Sequence, residues 1–319
     1  EPLLRNAGAT AIVTLSGLYE RVRTIQPATA IRHIVLTDIP DLVAWPWRSV
    51  VARQARAAGM MQPVSPQADV LYLRDLLADA PEAAPAVAID PARDAAVFQF
   101  TGGTSGLPKA AVLTHRNLVA NVTQIRAWVP SMQPADEKML LALPAFHVYG
   151  MTVGMLICLH VGGELVVTPD PRNVELILQL IDRERITFYP GVPAMYIALL
   201  NHPNLSRYDL HSIRVCLSGG APLPLEVAQR FATVTGGRLV EGYGMSESSP
   251  LTIGNPVFGE TRAGAVGLAF PSTEVAIVAL EPDATGAFVP VAQGVPGELL
   301  VRGPQVMQGY LNNPGATAA

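Results

Sequence analysis

The stretch Thr101-Gly102-Gly103-Thr104-Ser105-Gly106-Leu107-Pro108-Lys109 decides how this chain is read. Its glycines let backbone amides approach a ligand closely and point together at anionic oxygens. Its three hydroxyls add donors, and Lys109 supplies a compact ammonium suited to a terminal phosphate. Just before it, Ala96-Val97-Phe98-Gln99-Phe100 reads as a buried strand that stops at the glycines. Just after it, Thr114 reads as the cap of a helix whose apolar positions Leu118, Val122, Ile125 and Val129 share one face. A strand, an amide-rich turn and a helix together form a place to grip phosphate.

Two better-known phosphate turns do not fit. A loop ending Gly-Lys-Ser/Thr is excluded because Leu107-Pro108 separates Gly106 from Lys109, and Ala110 follows. The turn of short-chain hydride-transfer enzymes would need glycine where Pro108 stands. It would also need a tyrosine four residues before a lysine, and none of the eight tyrosines has one.

Outward from the loop, the chain alternates short apolar runs with helical patterns. Ala11 to Leu15 and His33 to Leu36 read as buried strands around a helical segment near Tyr19 to Thr24. Between Pro40 and Pro91 the sequence is looser. There Trp45 to Met61 mixes two tryptophans with Arg48, Arg53 and Arg56, which reads as a surface excursion, with an interfacial amphipathic segment as the alternative. Downstream, Leu140 to Leu143, Glu164 to Val167, Ile186 to Tyr189 and Ile213 to Leu217 read as strands. Val174 to Arg185 and Leu225 to Val234 read as helices, the latter stopped by Gly236-Gly237. After Pro250 glycines multiply, and Glu274 to Leu280 and Gly297 to Arg302 suggest β structure. The expected fold is α/β: layered sheets flanked by helices over residues 1–250, then an all-β, barrel-like portion over residues 251–319.

Composition narrows the function. The chain has 319 residues, half of them apolar and only 15% charged, with a net charge of −4. That argues against disorder and gives no basic surplus for nucleic acid. Lysine occurs twice, at Lys109 and Lys138, so the ammonium at the loop is a scarce resource. Cys158 and Cys216 have no metal-ligand spacing and read as buried thiols rather than a disulfide. The start, Glu1-Pro2-Leu3-Leu4, has no signal-peptide pattern, and Met151 to Gly163 is too short to span a bilayer and contains His160. The expected setting is cytoplasmic, with peripheral contact at the inner membrane face and a homodimer left open.

Five motifs in order then carry a resemblance. They are the loop; Pro144-Ala145-Phe146-His147-Val148-Tyr149-Gly150; Ser218-Gly219-Gly220-Ala221-Pro222-Leu223; Glu241-Gly242-Tyr243-Gly244-Met245-Ser246-Glu247; and Gly297-Glu298-Leu299 with Gly303 and Gly309-Tyr310. Together they resemble the adenylate-forming enzymes, the family of acyl-CoA synthetases, luciferases and peptide-synthetase adenylation domains. The loop phrase, Gly303-Pro304-Gln305-Val306-Met307 and the segment Phe188 to Pro203 look most like the bacterial long-chain fatty-acid–CoA ligases.

The resemblance implies a two-step reaction. A carboxylate attacks the α-phosphate of ATP to give an acyl-adenylate and pyrophosphate, and a thiol, usually that of coenzyme A, then takes the acyl group. No covalent enzyme intermediate is required, so the absence of a Ser-His-Asp pattern is no obstacle. By resemblance, Thr101, Gly102, Gly103, Thr104, Ser105, Gly106 and Lys109 wrap the β- and γ-phosphates, and Thr101 and Glu247 stand where the family holds Mg²⁺. Ser246 replaces the more usual threonine at the α-phosphate and keeps the hydroxyl. Gly220, Ala221 and Glu241, Gly242, Tyr243 and Gly244 would line the adenine pocket, with Tyr243 as its stacking face. His147 would sit beside the acyl carboxylate.

Ala110 departs from the family, which usually has glycine after the loop lysine. Its methyl is tolerable in a helical backbone and strained at positive φ. The family's ribose-binding aspartate, hinge and small C-terminal domain with its lysine are not in the sequence, and Lys138 precedes the histidine motif. The reading is therefore a central fragment of the large domain with little activity of its own. The alternatives are a ligase for another carboxylate, an adenylation domain serving a carrier protein, or a non-catalytic nucleotide- or acyl-binding module.

Overall fold

The computed structural model describes residues 1–102, 108–168, 170–262 and 264–318. They fall chiefly into two compact units, residues 1–89 and residues 90–102 with 109–318.

In the first unit, α1 (Pro2–Asn6) leads into β1 (Ala11–Leu15), α2 (Tyr19–Ile25), β2 (His33–Thr37), α3 (Trp47–Ala57), β3 (Val70–Tyr72) and α4 (Leu73–Ala78). The strands form a parallel sheet in the order β1-β2-β3. The buried run of β2 was readable, but β1 is an edge strand whose Val13 is 61% exposed, not the buried strand expected. The Trp45 to Met61 segment forms the exposed α3, with Trp45 and Trp47 both open to solvent.

The second unit begins with β4 (Ala95–Phe100), β5 (Ala110–Thr114) and α5 (His115–Trp128). β4 and β5 pair antiparallel from Ala95↔Thr114 to Phe100↔Ala110, so the glycine-rich stretch joins two strands. This corrects the strand–turn–helix reading: a second strand stands between loop and helix, and β4 is largely half-exposed. The Thr114 cap holds, since its hydroxyl accepts the Asn117 N–H at 3.1 Å and the Asn117 side chain returns to the Thr114 N–H. Residues 308–311 lie against the other edge of β5, through Val112 N to Gly309 O at 2.9 Å and Leu311 N to Ala110 O at 2.8 Å.

There follow β6 (Lys138–Leu141), a π-helical stretch (Gly150–Leu156), α6 (Ile157–Val161), β7 (Glu164–Val167), α7 (Val174–Glu184), α8 (Pro193–Leu200), β8 (Val215–Ser218), α9 (Leu225–Thr235) and β9 (Arg238–Gly244). Then come β10 (Leu251–Gly254), β11 (Leu268–Ala269), β12 (Glu274–Val278), β13 (Glu298–Arg302) and α10 (Pro314–Ala318). β7 pairs parallel with β6, and Phe188 bridges Met139 of β6 to Val215 of β8. β8 pairs parallel with β9, and β10 and β11 complete the row antiparallel. The sheet thus crosses residue 250.

Side-chain alternation sends Met139, Phe188, Val215, Leu217 and Val240 to one face, under α5, the π-helical stretch and α6. It sends Leu140, Tyr189, Cys216 and Leu239 to the other, under α7, α8 and α9. Burial on both faces is why these strands read as continuous apolar runs. Cys158 and Cys216 sit in opposite cores as free thiols, as the sequence suggested. β12 and β13 form a two-stranded ribbon, and among the described residues no barrel closes.

Candidate active site

Four sequence-distant segments converge at the ends of β4, β5, β8 and β9. The first is the mouth of the loop. Thr101 N donates to Lys109 O at 2.8 Å, which closes the hairpin ladder and sets the two loop ends side by side. Gly103, Thr104, Ser105 and Gly106 lie outside the described residues. Ala110 is fully buried in β5 and paired with Phe100, so its backbone is extended, neither helical nor left-handed, and its methyl is part of the core.

The second segment is the aromatic turn. His147 is exposed, and its Nδ1 accepts the Tyr149 N–H at 3.2 Å. A neutral ring in that arrangement carries its proton on Nε2. Gln99 of β4 holds the turn by donating to Phe146 O at 3.2 Å. The Tyr149 hydroxyl is buried and donates to Leu217 O at 2.6 Å, under the third segment, Gly219-Gly220. A Cβ on Gly219 would stand 3.2 Å from the Tyr149 ring, and Gly220 has φ +78°, so close packing and left-handed backbone both call for glycine here.

The fourth segment is the β9 end with the short 3-10 turn Ser246–Ser248. A Cβ on Gly244 would lie 1.9 Å from Pro250 O, so this glycine also serves the close approach of β9 to β10. His147, Gly219, Gly220, Gly242, Gly244 and Ser246 share one open cleft of about 240 Å³. Ala221, Glu241 and Tyr243 are not among its lining residues. Period-2 alternation puts 241 and 243 on the opposite face of β9 from 242 and 244. The Glu241 carboxylate instead accepts the Leu223 N–H at 3.3 Å, beside α9, where partial burial raises its pKa. Lys138 is paired with Glu164 at 3.1 Å.

Lys109 and Glu247 are brought together by a residue whose role the sequence did not reveal. Tyr310 donates its hydroxyl to Glu247 Oε1 at 2.6 Å, and Lys109 Nζ lies 5.0 Å from the centre of its ring. Burial, and then the Glu247 carboxylate, push the phenol up to about 12. Glu247 O also accepts Met307 N–H at 2.8 Å, tying its turn to the segment that carries Tyr310. That segment is anchored by Gln305, which is fully buried and bonded to Gln124 at 3.1 Å and Thr273 at 2.7 Å. Asn117 adds bonds to Pro304 O and Val306 O, both 2.8 Å. The phrase Gly303 to Met307 is thus a structural clamp behind the site.

Among the described residues, Lys109 and Glu247 make no ion pair, and the side-chain hydroxyls of Thr101 and Ser246 make no hydrogen bond. Nor does any group of three or more His, Cys, Asp or Glu gather to hold a metal. One carboxylate and one hydroxyl are too few for a resident ion, but they suit Mg²⁺, which commonly takes one or two protein ligands and completes its shell with phosphate and water. The donor set fits a cation that arrives on a nucleotide.

The family model of the AMP-binding enzymes matches residues 1–311. The chain belongs to the AMP-binding enzyme family. It is 39% identical over 317 residues to a long-chain-fatty-acid–CoA ligase of Bacillus subtilis, covering 99% of this chain and 55% of the relative. It is 33% identical over 325 residues to the ligase of that name in Escherichia coli O157:H7, covering 99% and 56%. A 4-coumarate–CoA ligase of Oryza sativa is 37% identical over 253 residues, covering 77% of this chain and 43% of the relative. The chain spans about half the length of the curated relatives it matches. The fold is that of solved ligases. A long-chain-fatty-acid–CoA ligase from Archaeoglobus fulgidus superposes with TM-score 0.77 at 23% identity, covering 99% of this chain and 58% of the other. An anthranilate–CoA ligase bound to anthranoyl-AMP gives 0.79 at 21%, covering 99% and 55%.

Proposed function

We propose that this chain carries the nucleotide- and acid-binding machinery of an ATP-dependent acid–thiol ligase that activates a fatty acid as its acyl-adenylate and passes it to coenzyme A. The observation that supports it best is the meeting of Lys109, Glu247 and Tyr310 beside the cleft that holds His147, Gly220 and Ser246. In this reading Lys109 holds the terminal phosphates and the loop amides cover them. Ser246 donates to the α-phosphate, where charge develops as the carboxylate attacks. His147, with its proton on Nε2, donates to the acid or to the adenylate oxygen. Glu247 and Thr101 would hold Mg²⁺ brought in with the nucleotide, and the bound ion would supply charge neutralisation during the displacement. Gly220 would border adenine from the cleft, whereas Ala221 and Tyr243 lie outside that cleft, and Tyr243 would reach the base only from the other face of β9.

A ligase for an aryl acid is the second reading, and the 4-coumarate–CoA ligase relative favours it. Non-reactive sulfamoyl-adenosine analogues separate the two by binding alone. The fatty-acid reading expects palmitoyl-sulfamoyl-adenosine to bind at least about tenfold more tightly than the coumaroyl analogue, since buried methylenes contribute about 0.8 kcal/mol each. The reverse order would replace fatty acid by aryl acid. Equal affinity for both and for sulfamoyl-adenosine alone would leave a nucleotide-binding module.

A further inference from the structure

Lys109 and Glu247 carry opposite charges, touch the same side chain and yet are not paired with each other. A direct ion pair would cancel the charge that each needs, one for phosphate and the other for a cation. The side chain between them is Tyr310. We propose that Tyr310 is a positioning residue that keeps Lys109 and Glu247 apart and aimed, the ammonium on its ring face and the carboxylate on its hydroxyl, so that a triphosphate and its divalent cation are met by two unneutralised charges. The proposal rests on the nucleotide-binding reading above.

The chemistry suits that task. A ring face attracts an ammonium through its quadrupole and leaves the positive charge in place. A phenol hydrogen bond occupies one of the roughly four acceptor positions of a carboxylate, fixes its rotamer and leaves the rest for a metal. Tyr310 is itself held from several sides. Its N–H donates to Thr317 Oγ1 at 2.8 Å, and its flanking residues bond to β5. Gly309 before it has φ +144°, and a Cβ there would sit 2.5 Å from Thr317 Cγ2, so the backbone that aims the ring needs glycine. Met307 N–H, three residues upstream, holds Glu247 O. The ring and the carboxylate it orients are therefore built on one braced unit.

Calorimetric titration of this chain with ATP, in excess Mg²⁺ and separately in EDTA, tests the proposal. Tyr310→Phe keeps the ring and loses the hydroxyl. It should weaken Mg·ATP binding about 5- to 20-fold while changing metal-free ATP binding less than about 2-fold. Tyr310→Leu also loses the ring and should weaken binding in both conditions, because Lys109 is then free to pair with Glu247. On a Glu247→Gln background the Tyr310→Phe effect should vanish. Equal affinities for Tyr310→Phe and the parent in Mg²⁺, or the same loss with and without metal, would overturn the proposal and leave the nucleotide reading standing. A parent chain that binds no nucleotide in either condition would overturn both. Thermal melts within a few degrees of the parent certify the Phe variant, which decides the matter even where the Leu variant does not fold.

Discussion

A cation that rests on an aromatic face with no anionic partner among the described residues keeps its charge available. Lys109 is such a cation, and only one other lysine exists in the chain, already paired with Glu164. Lys109→Ala should therefore lower ATP affinity by roughly 10- to 100-fold, the range for losing a charge-assisted bond to phosphate. Displacement of a fluorescent nucleotide would measure it, and an unchanged affinity would remove the loop from the site. The two thiols make a second expectation at this scale. Cys158 is buried and pushed up to about 11 by that burial, with Glu137 and Glu164 adding to it, and burial raises Cys216 further still. Native protein at pH 8 should resist iodoacetamide at both positions and take two labels only in denaturant. Lys109, His147 and Glu247 stand out as candidates in the sequence because short local motifs carry them. Tyr310 was seen as part of a motif but not as a partner of Glu247, because 63 residues separate the two and no local pattern links them.

At the scale of elements, strong periodicity and caps were readable and weak propensity was not. α5 shows its face and its Thr114 cap in sequence, and α7 shows its extent, while the Asn173 cap of α7 emerges only in the structure. β5 was missed because Ala110-Ala111 has little intrinsic strand preference. Pairing with β4 on one side and residues 308–311 on the other makes it a strand. The same pairing disposes of the worry over Ala110. Period-2 alternation could have shown that Glu241 and Tyr243 turn away from Gly242 and Gly244, had residues 238–244 been read as one strand. In the first unit, the start of β3 is pinned by Asp69, whose carboxyl is held below its usual range by the Gln26 amide and the Arg23 guanidinium. A carboxyl lowered on folding stabilises above its unfolded pKa, near 4, and that contribution fades as pH falls through the folded value. Asp69→Asn should melt earlier than the parent at pH 7, and the gap should narrow towards pH 3. A gap that widens with acid would refute the linkage.

For the whole molecule, the layered sheet covered on both faces was foreseeable from its apolar runs. The sheet's passage across residue 250 was not, because the rise in glycine there marks close strand approach, as at Gly244 against Pro250 and at Gly267, where a Cβ would lie 2.0 Å from Gly254 O. Gln305 shows the same limit, since its network reaches α5 and residue 273 from far along the chain. These long-range ties are what would deliver two charges to one nucleotide. A crystal structure of the chain grown with ATP and Mg²⁺ examines that most directly. It should show the triphosphate between Lys109 Nζ and Ser246, with Glu247 reaching its cation. Triphosphate density bound away from both Lys109 and Glu247 would contradict the account.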